Sequence, residues 1–161
     1  MNRRGFTLIE LAMVIAISAI LAVVSYPTLR DLGNFGLAAA ARGLVADIHF
    51  VKNRAVTTHA VCGVVFSASG DTYTLFTGTP ATPLQHPLRP GQDYRVNLGA
   101  QGVDLVAASF GGGAQVRFDA LGQPLDASDQ PFLAQGRAIL ARGAARDTVS
   151  VDAFTGGVQG P

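Results

Sequence analysis

Cysteine occurs once in this chain of 161 residues, and charged residues make up only 14% of it. Each scarcity excludes something. A lone cysteine, Cys62, rules out an intramolecular disulfide and any cysteine-based metal site. An oxidising compartment stays open, but the fold does not draw on bridges there. Cys62 lies in an apolar stretch and reads as a buried, inert thiol. The three histidines, His49, His59 and His86, lie on a helical pattern, at its end and in a proline-rich stretch, without ligand spacing. No Gly-x-Ser-x-Gly elbow is present for a serine hydrolase. Gly111-Gly112-Gly113 is not followed by the Lys-Ser/Thr of a phosphate loop and reads as a turn. Asp126-Ala127-Ser128-Asp129 offers two carboxylates, few for a calcium ion that takes about six to eight oxygens, and reads as a polar turn. Neither an enzyme nor a metal or other cofactor is expected. Charge of either sign is balanced: the net charge is +1, and beyond Arg30 nine basic residues face ten acidic ones. A protein that neutralises many phosphates carries a basic stripe, and this one has none overall.

What is abundant is apolar. Hydrophobic residues make up 48% and the mean hydropathy is +0.31, too high for a disordered chain and high for an ordinary soluble domain. The excess is concentrated in residues 6–26, FTLIELAMVIAISAILAVVSY, which hold one charge, Glu10. As a helix this run is about 31 Å long, close to the roughly 30 Å of a bilayer's hydrocarbon core. The short basic segment Met1-Asn2-Arg3-Arg4-Gly5 before it favours a cytoplasmic N-terminus, with the rest of the chain on the far side. A secretory signal peptide would have a shorter apolar core and a small-x-small cut site, whereas this run ends in Val24-Ser25-Tyr26-Pro27. A plain anchor gives no reason for Glu10, whose insertion costs roughly 2.5–3.5 kcal/mol. Ala12, Ala16 and Ala19 make a small-residue face that lets helices approach closely.

After this run the chain changes character twice. Pro27, Gly33 and Gly36 predict a bent or locally melted stem between about Ser25 and Gly36. Leu37, Ala41, Leu44, Ile48, Val51 and Ala55 then alternate steps of four and three, which predicts an amphipathic helix with its stripe against a sheet. Residues 60–66 and 72–77 read as a β-hairpin around a five-residue loop. Residues 78–93, with four prolines, read as an irregular loop. Further strands are expected at Tyr94–Leu98, Val103–Ser109, Gln115–Asp119, Arg137–Ala141 and Thr148–Phe154. The expected fold class is α+β, a long kinked N-terminal helix packed on an antiparallel head. Its divisions are 1–5, 6–26, 27–57 and 58–161.

Gly5-Phe6-Thr7-Leu8-Ile9-Glu10 resembles the processing signal of type IV prepilins and pseudopilins, with the basic leader before it and Pro27 after the apolar run. That resemblance implies a prepilin peptidase that cuts after Gly5 and methylates the new amine of Phe6. It implies that Glu10 serves subunit assembly, pairing in a low dielectric with the Phe6 ammonium of a neighbour. Residues 1–5 would then be leader, 6–26 membrane anchor and filament core, 27–57 the rest of the stem, and 58–161 a periplasmic head. The implied partners are other pilins or pseudopilins, the peptidase, an inner-membrane assembly platform and the lipid of a bacterial inner membrane. The hairpin after the stem, Phe118-Asp119-Ala120-Leu121-Gly122-Gln123-Pro124 and Thr155-Gly156 look like the GspH/FimT group. Its GspH members are minor pseudopilins of type II secretion; its FimT members are minor pilins of type IV pili, and some of them bind DNA during uptake. Major pilins often close a C-terminal loop with a disulfide, so a single cysteine suits a minor subunit. Arg137, Arg142 and Arg146 are the residues that would touch phosphates. In DNA-binding members the cations cluster at the final turn, and residues 157–161 carry no charge here. DNA is therefore not an expected partner.

Overall fold

The computed structural model describes residues 7–161, and for residues 24–34 the backbone alone. A helix, α1, runs from Leu8 to Thr58. The backbone stays helical through Pro27, Gly33 and Gly36, so the local melting expected there is not found. Proline deletes one donor and glycine costs about 1 kcal/mol relative to alanine, too little to interrupt a helix of 51 residues. Residues up to Phe35 and from Gly36 onward form two separate units. In the first, the side chains of residues 7–23 are all exposed, Leu8 at 86% and Val14 at 53%. Among the described residues no helix is long and apolar enough to cross a membrane; the described side chains stop at Val23, short of the Tyr26 that ends the run.

In the second unit the helix obeys its pattern. Leu37, Ala41, Leu44, Ile48, Val51 and Ala55 are all buried and form one wall of the core. The helix ends where His59 turns left-handed, at φ +52°, and Ala60 N–H reaches back to the Ala55 carbonyl. That six-to-one bond closes the last turn, with histidine where glycine is the usual residue.

Eleven strands follow. They are β1 Cys62–Ser67, β2 Thr72–Thr77, β3 Gln85–His86, β4 Arg89–Asp93, β5 Arg95–Asn97, β6 Asp104–Ser109, β7 Gln115–Phe118, β8 Pro124–Leu125, β9 Gly136–Arg142, β10 Ala145–Val151 and β11 Val158–Gln159. One sheet has the order β5-β2-β1-β7-β8, a second β11-β10-β9-β6, and every pairing is antiparallel. The β1–β2 hairpin is in register from Cys62 with Thr77 to Ser67 with Thr72. Its loop is therefore one residue shorter than the pattern implied, closed by a single 3-10 turn over Ala68–Gly70. Gly63 allows a close approach within the first sheet: a Cβ there would stand 2.5 Å from the Phe76 ring and 2.6 Å from the Val116 carbonyl.

The stretch 78–93 is not wholly irregular. It folds a small β3–β4 hairpin with a register shift between Gln85 and His86. Pro90 is accepted inside β4 because that strand pairs on one side only, so its missing N–H costs no ladder bond.

Candidate functional site

The N-terminal motif can be followed from Thr7. Its carbonyl accepts from the amides of Glu10 and Leu11 at 3.1 and 3.2 Å, and its hydroxyl accepts from Glu10 N–H at 3.3 Å. Thr7 is thus the N-cap of α1 and Glu10 its third helical residue, the spacing of a capping box. The Glu10 amide thus takes part in the cap of its own helix, and Thr-x-x-Glu before an apolar run is the signal for such a start. Gly5 and Phe6 lie outside the described residues.

In the head, the two turns that carried the likeness come together. Asp119 Oδ1 accepts from the amides of Leu121 and Gln123 at 2.9 and 2.8 Å and closes the first turn, whose Gly122 has φ +78°. Asp152 Oδ1 accepts from Phe154 N–H at 3.1 Å and from the amide and hydroxyl of Thr155 at 2.8 Å, closing the second. The Thr155 amide, then its hydroxyl, then the Phe154 amide hold the Asp152 carboxyl below its usual range. The turns touch: a Cβ on Gly156 would stand 2.8 Å from the Gly122 carbonyl. Lys52, the only lysine in the chain, fastens the pair to α1. Its ammonium donates to the carbonyls of Thr155 at 2.9 Å and Gly156 at 3.0 Å. Its stem lies against the place a Gly122 side chain would need. Leu121 and Phe154, at the two tips, are 87% and 83% exposed.

A second anchor also starts from the helix. Asp47 accepts from both the Tyr73 and the Tyr94 hydroxyls at 2.6 Å. Burial, then the charge of Asp47, push the Tyr73 hydroxyl far above the ordinary tyrosine range. Burial and the bond to Asp47 push Tyr94 up to about 12. His86 and Phe50 stand against the Tyr94 ring at centroid distances of 4.6 and 5.9 Å.

The three arginines do not converge. Arg137 and Arg146 are exposed, Arg142 half-buried. The register sets Arg146 opposite Ala141, so strand alternation puts Arg137 and Arg146 on one face of the sheet and Arg142 on the other. Arg146 is displaced from Arg137 by four residues, about 13 Å along the strand. The Arg142 guanidinium fills the space a Gly36 side chain would need and lies beside Gly102. Asp126 Oδ1 accepts from Ser128 and Gln130 amides at 2.7 and 2.9 Å, and Asp129 pairs with Arg117 at 3.0 Å, so each carboxylate of that turn is already engaged. Among the described residues no group of three or more His, Cys, Asp or Glu could hold a metal. Cys62 is buried, its Sγ 3.5 Å from the Thr77 hydroxyl.

An apolar N-terminal helix continued by an amphipathic half, with a β head held against that half, defines a pilin-like subunit. Residues 40–156 match the family described as type II transport protein GspH, and the chain belongs to that family. Residues 1–26 match the prokaryotic N-terminal methylation motif. The chain is a minor pseudopilin or minor pilin, a class of structural subunit, and membership implies processing by a prepilin peptidase and assembly with other pilin-type subunits. Among solved structures, the minor pseudopilin EpsH of Vibrio cholerae is similar at 13% identity and a TM-score of 0.57, over 78% of this chain and 95% of that one. The type IV minor pilin FimU of Pseudomonas aeruginosa is similar at 14% identity and a TM-score of 0.53, over 78% and 87%. These likenesses show the shared fold. No curated protein matches in sequence.

Proposed function

We propose that this chain is a minor pseudopilin of a type II secretion pseudopilus. In this reading it is cut after Gly5, methylated on Phe6 and held in a bacterial inner membrane by residues 6–26, with its N-terminus cytoplasmic and its head periplasmic. An inner-membrane assembly platform then moves it from lipid into the filament. The match of residues 40–156 to the GspH family carries this reading, and the methylation motif on residues 1–26 supports the processing steps. Glu10 is the single glutamate of the chain. In a filament its carboxylate would meet the Phe6 ammonium of a neighbour, offsetting two charges that are costly apart in a low dielectric.

A second reading, a FimT-like minor pilin of a type IV pilus with a part in DNA uptake, is favoured by the fold's likeness to FimU. There Arg137 and Arg146, on one face, would make weak phosphate contacts, with Arg142 apart from them. Deleting the gene separates the two: loss of protein secretion with pili intact supports the first, loss of pili or of DNA uptake the second. The N-terminal sequence and mass of protein from native membranes test the processing. A chain that begins at Phe6 and is one methyl group heavier is expected; an intact Met1, or a start beyond Tyr26, would overturn it.

A further inference from the structure

A slot of about 250 Å³ lies between the flank of α1 and the edge of the first sheet. Ala39, Gly43 and Ala46, one helical turn apart, form its helix wall, and Val96 and Gln101 stand opposite. Gly43 leaves it open, since a Cβ built there would meet nothing within 4 Å. Asp47 and Tyr73 line its end.

The far wall is an unfinished sheet edge. β5 ends its sheet and pairs with β2 alone. Leu75 N–H bonds to the Tyr94 carbonyl and Leu98 N–H to the Asp71 carbonyl. By strand alternation the backbone groups of Arg95 and Asn97 then turn away from β2, as at any open edge. Such an edge accepts an extended segment through main-chain bonds, with side-chain pockets setting the choice.

Asp47 is the one charged residue among those that line this slot, and the Arg142 guanidinium lies beyond it, beside Gly36 and Gly102. Two phenols donate hydrogen bonds to the Asp47 carboxylate and bring no positive charge. A carboxylate has about four lone-pair sites, so two phenols leave room for a further donor. Arg95 and Val96 point to opposite faces of the strand, and the Arg95 guanidinium lies 3.5 Å from the Thr72 hydroxyl. The helix wall has no side chain larger than a methyl group at Ala39, Gly43 and Ala46.

We infer that the slot between α1 and β5 receives a short extended segment of a neighbouring subunit, which adds to the β5 edge and brings a lysine or arginine to Asp47. That the donor is a neighbouring subunit rests on the assembly reading above; the preference for a cationic strand does not. The charge of Asp47 and the free edge select that occupant together, since a helix would leave the β5 backbone groups unsatisfied.

The test uses the full chain in detergent micelles and two five-residue peptides of alternating valine and threonine, one with a central lysine and one with a central glutamine. Binding is followed by amide chemical shifts. The lysine peptide is expected to move the signals of Gly43, Val96 and Gln101, and the glutamine peptide to bind at least roughly tenfold more weakly. Gly43→Leu should remove binding while the melting temperature holds, and Asp47→Asn should bring the lysine peptide down to the level of the glutamine one. Equal binding of both peptides, shifts elsewhere, or no binding at all would overturn the inference. So would a concentration-dependent dimer that Gly43→Leu abolishes, which would give the slot to a second copy of this chain. Because the measurement needs no filament, its failure leaves the processing reading standing, and an uncut N-terminus in native membranes would leave this result standing.

Discussion

One helix carries two kinds of apolar surface. From Leu8 to Val23 large side chains such as Leu8, Ile9, Leu11, Met13 and Ile15 are more than half exposed. From Leu37 to Ala55 a stripe of the same residue types is at most 6% exposed, covered by the chain's own sheets. Hydrophobicity alone does not tell these apart; periodicity does. A helix apolar all round is made for lipid or for other helices, whereas a stripe three to four residues apart is made for one's own core. The two halves should therefore answer the same substitution differently. Leu44→Ala in the second half should cost about 2–5 kcal/mol of head stability, through lost transfer energy and a residual cavity. Leu11→Ala should leave the melting of the head unchanged and act on filament incorporation instead. Thermal melts of the full chain in micelles, beside incorporation in cells, read both. A head destabilised by Leu11→Ala would break the comparison.

The turns near the end of the helix sharpen it. Lys52→Met keeps the stem that packs near Gly122 and removes the bonds to Thr155 and Gly156. Bonds to a charged donor contribute about 1.5–3 kcal/mol, and partial exposure places this case at the lower end. Amide exchange at Thr155 to Gly157 should speed up before that of the core strands does. Uniform acceleration across the head would mean that Lys52 is no local clamp.

Much of this arrangement was legible because its signals are local. The stripe from Leu37 to Ala55, the β1–β2 hairpin and the strands near β5, β6, β7, β9 and β10 follow from period and turn residues alone. The helix end was read within one residue of Thr58. The β3–β4 hairpin was hidden by Pro87, Pro90 and Gly91, which argue locally against a strand and are tolerated only because the edge is free. The Lys52 clamp and the two phenols on Asp47 were not legible. They join residues 26 to 104 positions apart, and only the finished fold brings these together. The three arginines that would touch phosphates lie within ten residues in sequence, and register divides them between two faces. The Thr7 cap, which takes the Glu10 amide, follows from the same residues but not from the assembly role of the Glu10 carboxylate.

The tyrosine pair gives the second half a pH signature. Both hydroxyls are held protonated in the folded head, and the unfolded chain ionises them near pH 10. A folded pKa above the unfolded one means the contribution is whole below pH 10 and is lost as the pH rises through the folded value, about 12 for Tyr94. Melting temperature should fall across that window. Tyr73→Phe should cost about 1.5 kcal/mol at neutral pH, the low end for a bond to a charged group, since Asp47 keeps its bond from Tyr94. With Tyr94→Phe added, the alkaline slope should flatten. An unchanged slope in the double variant would locate the sensitivity elsewhere.

The smallest effect lies within the helix, where two glycines meet opposite surroundings. A Cβ on Gly43 meets nothing within 4 Å, so Gly43→Ala collects the full helix-propensity gain, up to about 1 kcal/mol. A Cβ on Gly36 lands on the Arg142 guanidinium, which must shift before the same gain is realised. Because that guanidinium is the far end of a flexible side chain, Gly36→Ala should come out near zero and not strongly destabilising. The two melts, taken side by side, hold the helix constant and vary only the neighbour. Equal gains would mean that Arg142 moves at no cost and fastens nothing at Gly36. A loss at Gly43 would mean that the slot beside it is closed in solution, which would also remove the room for an added strand.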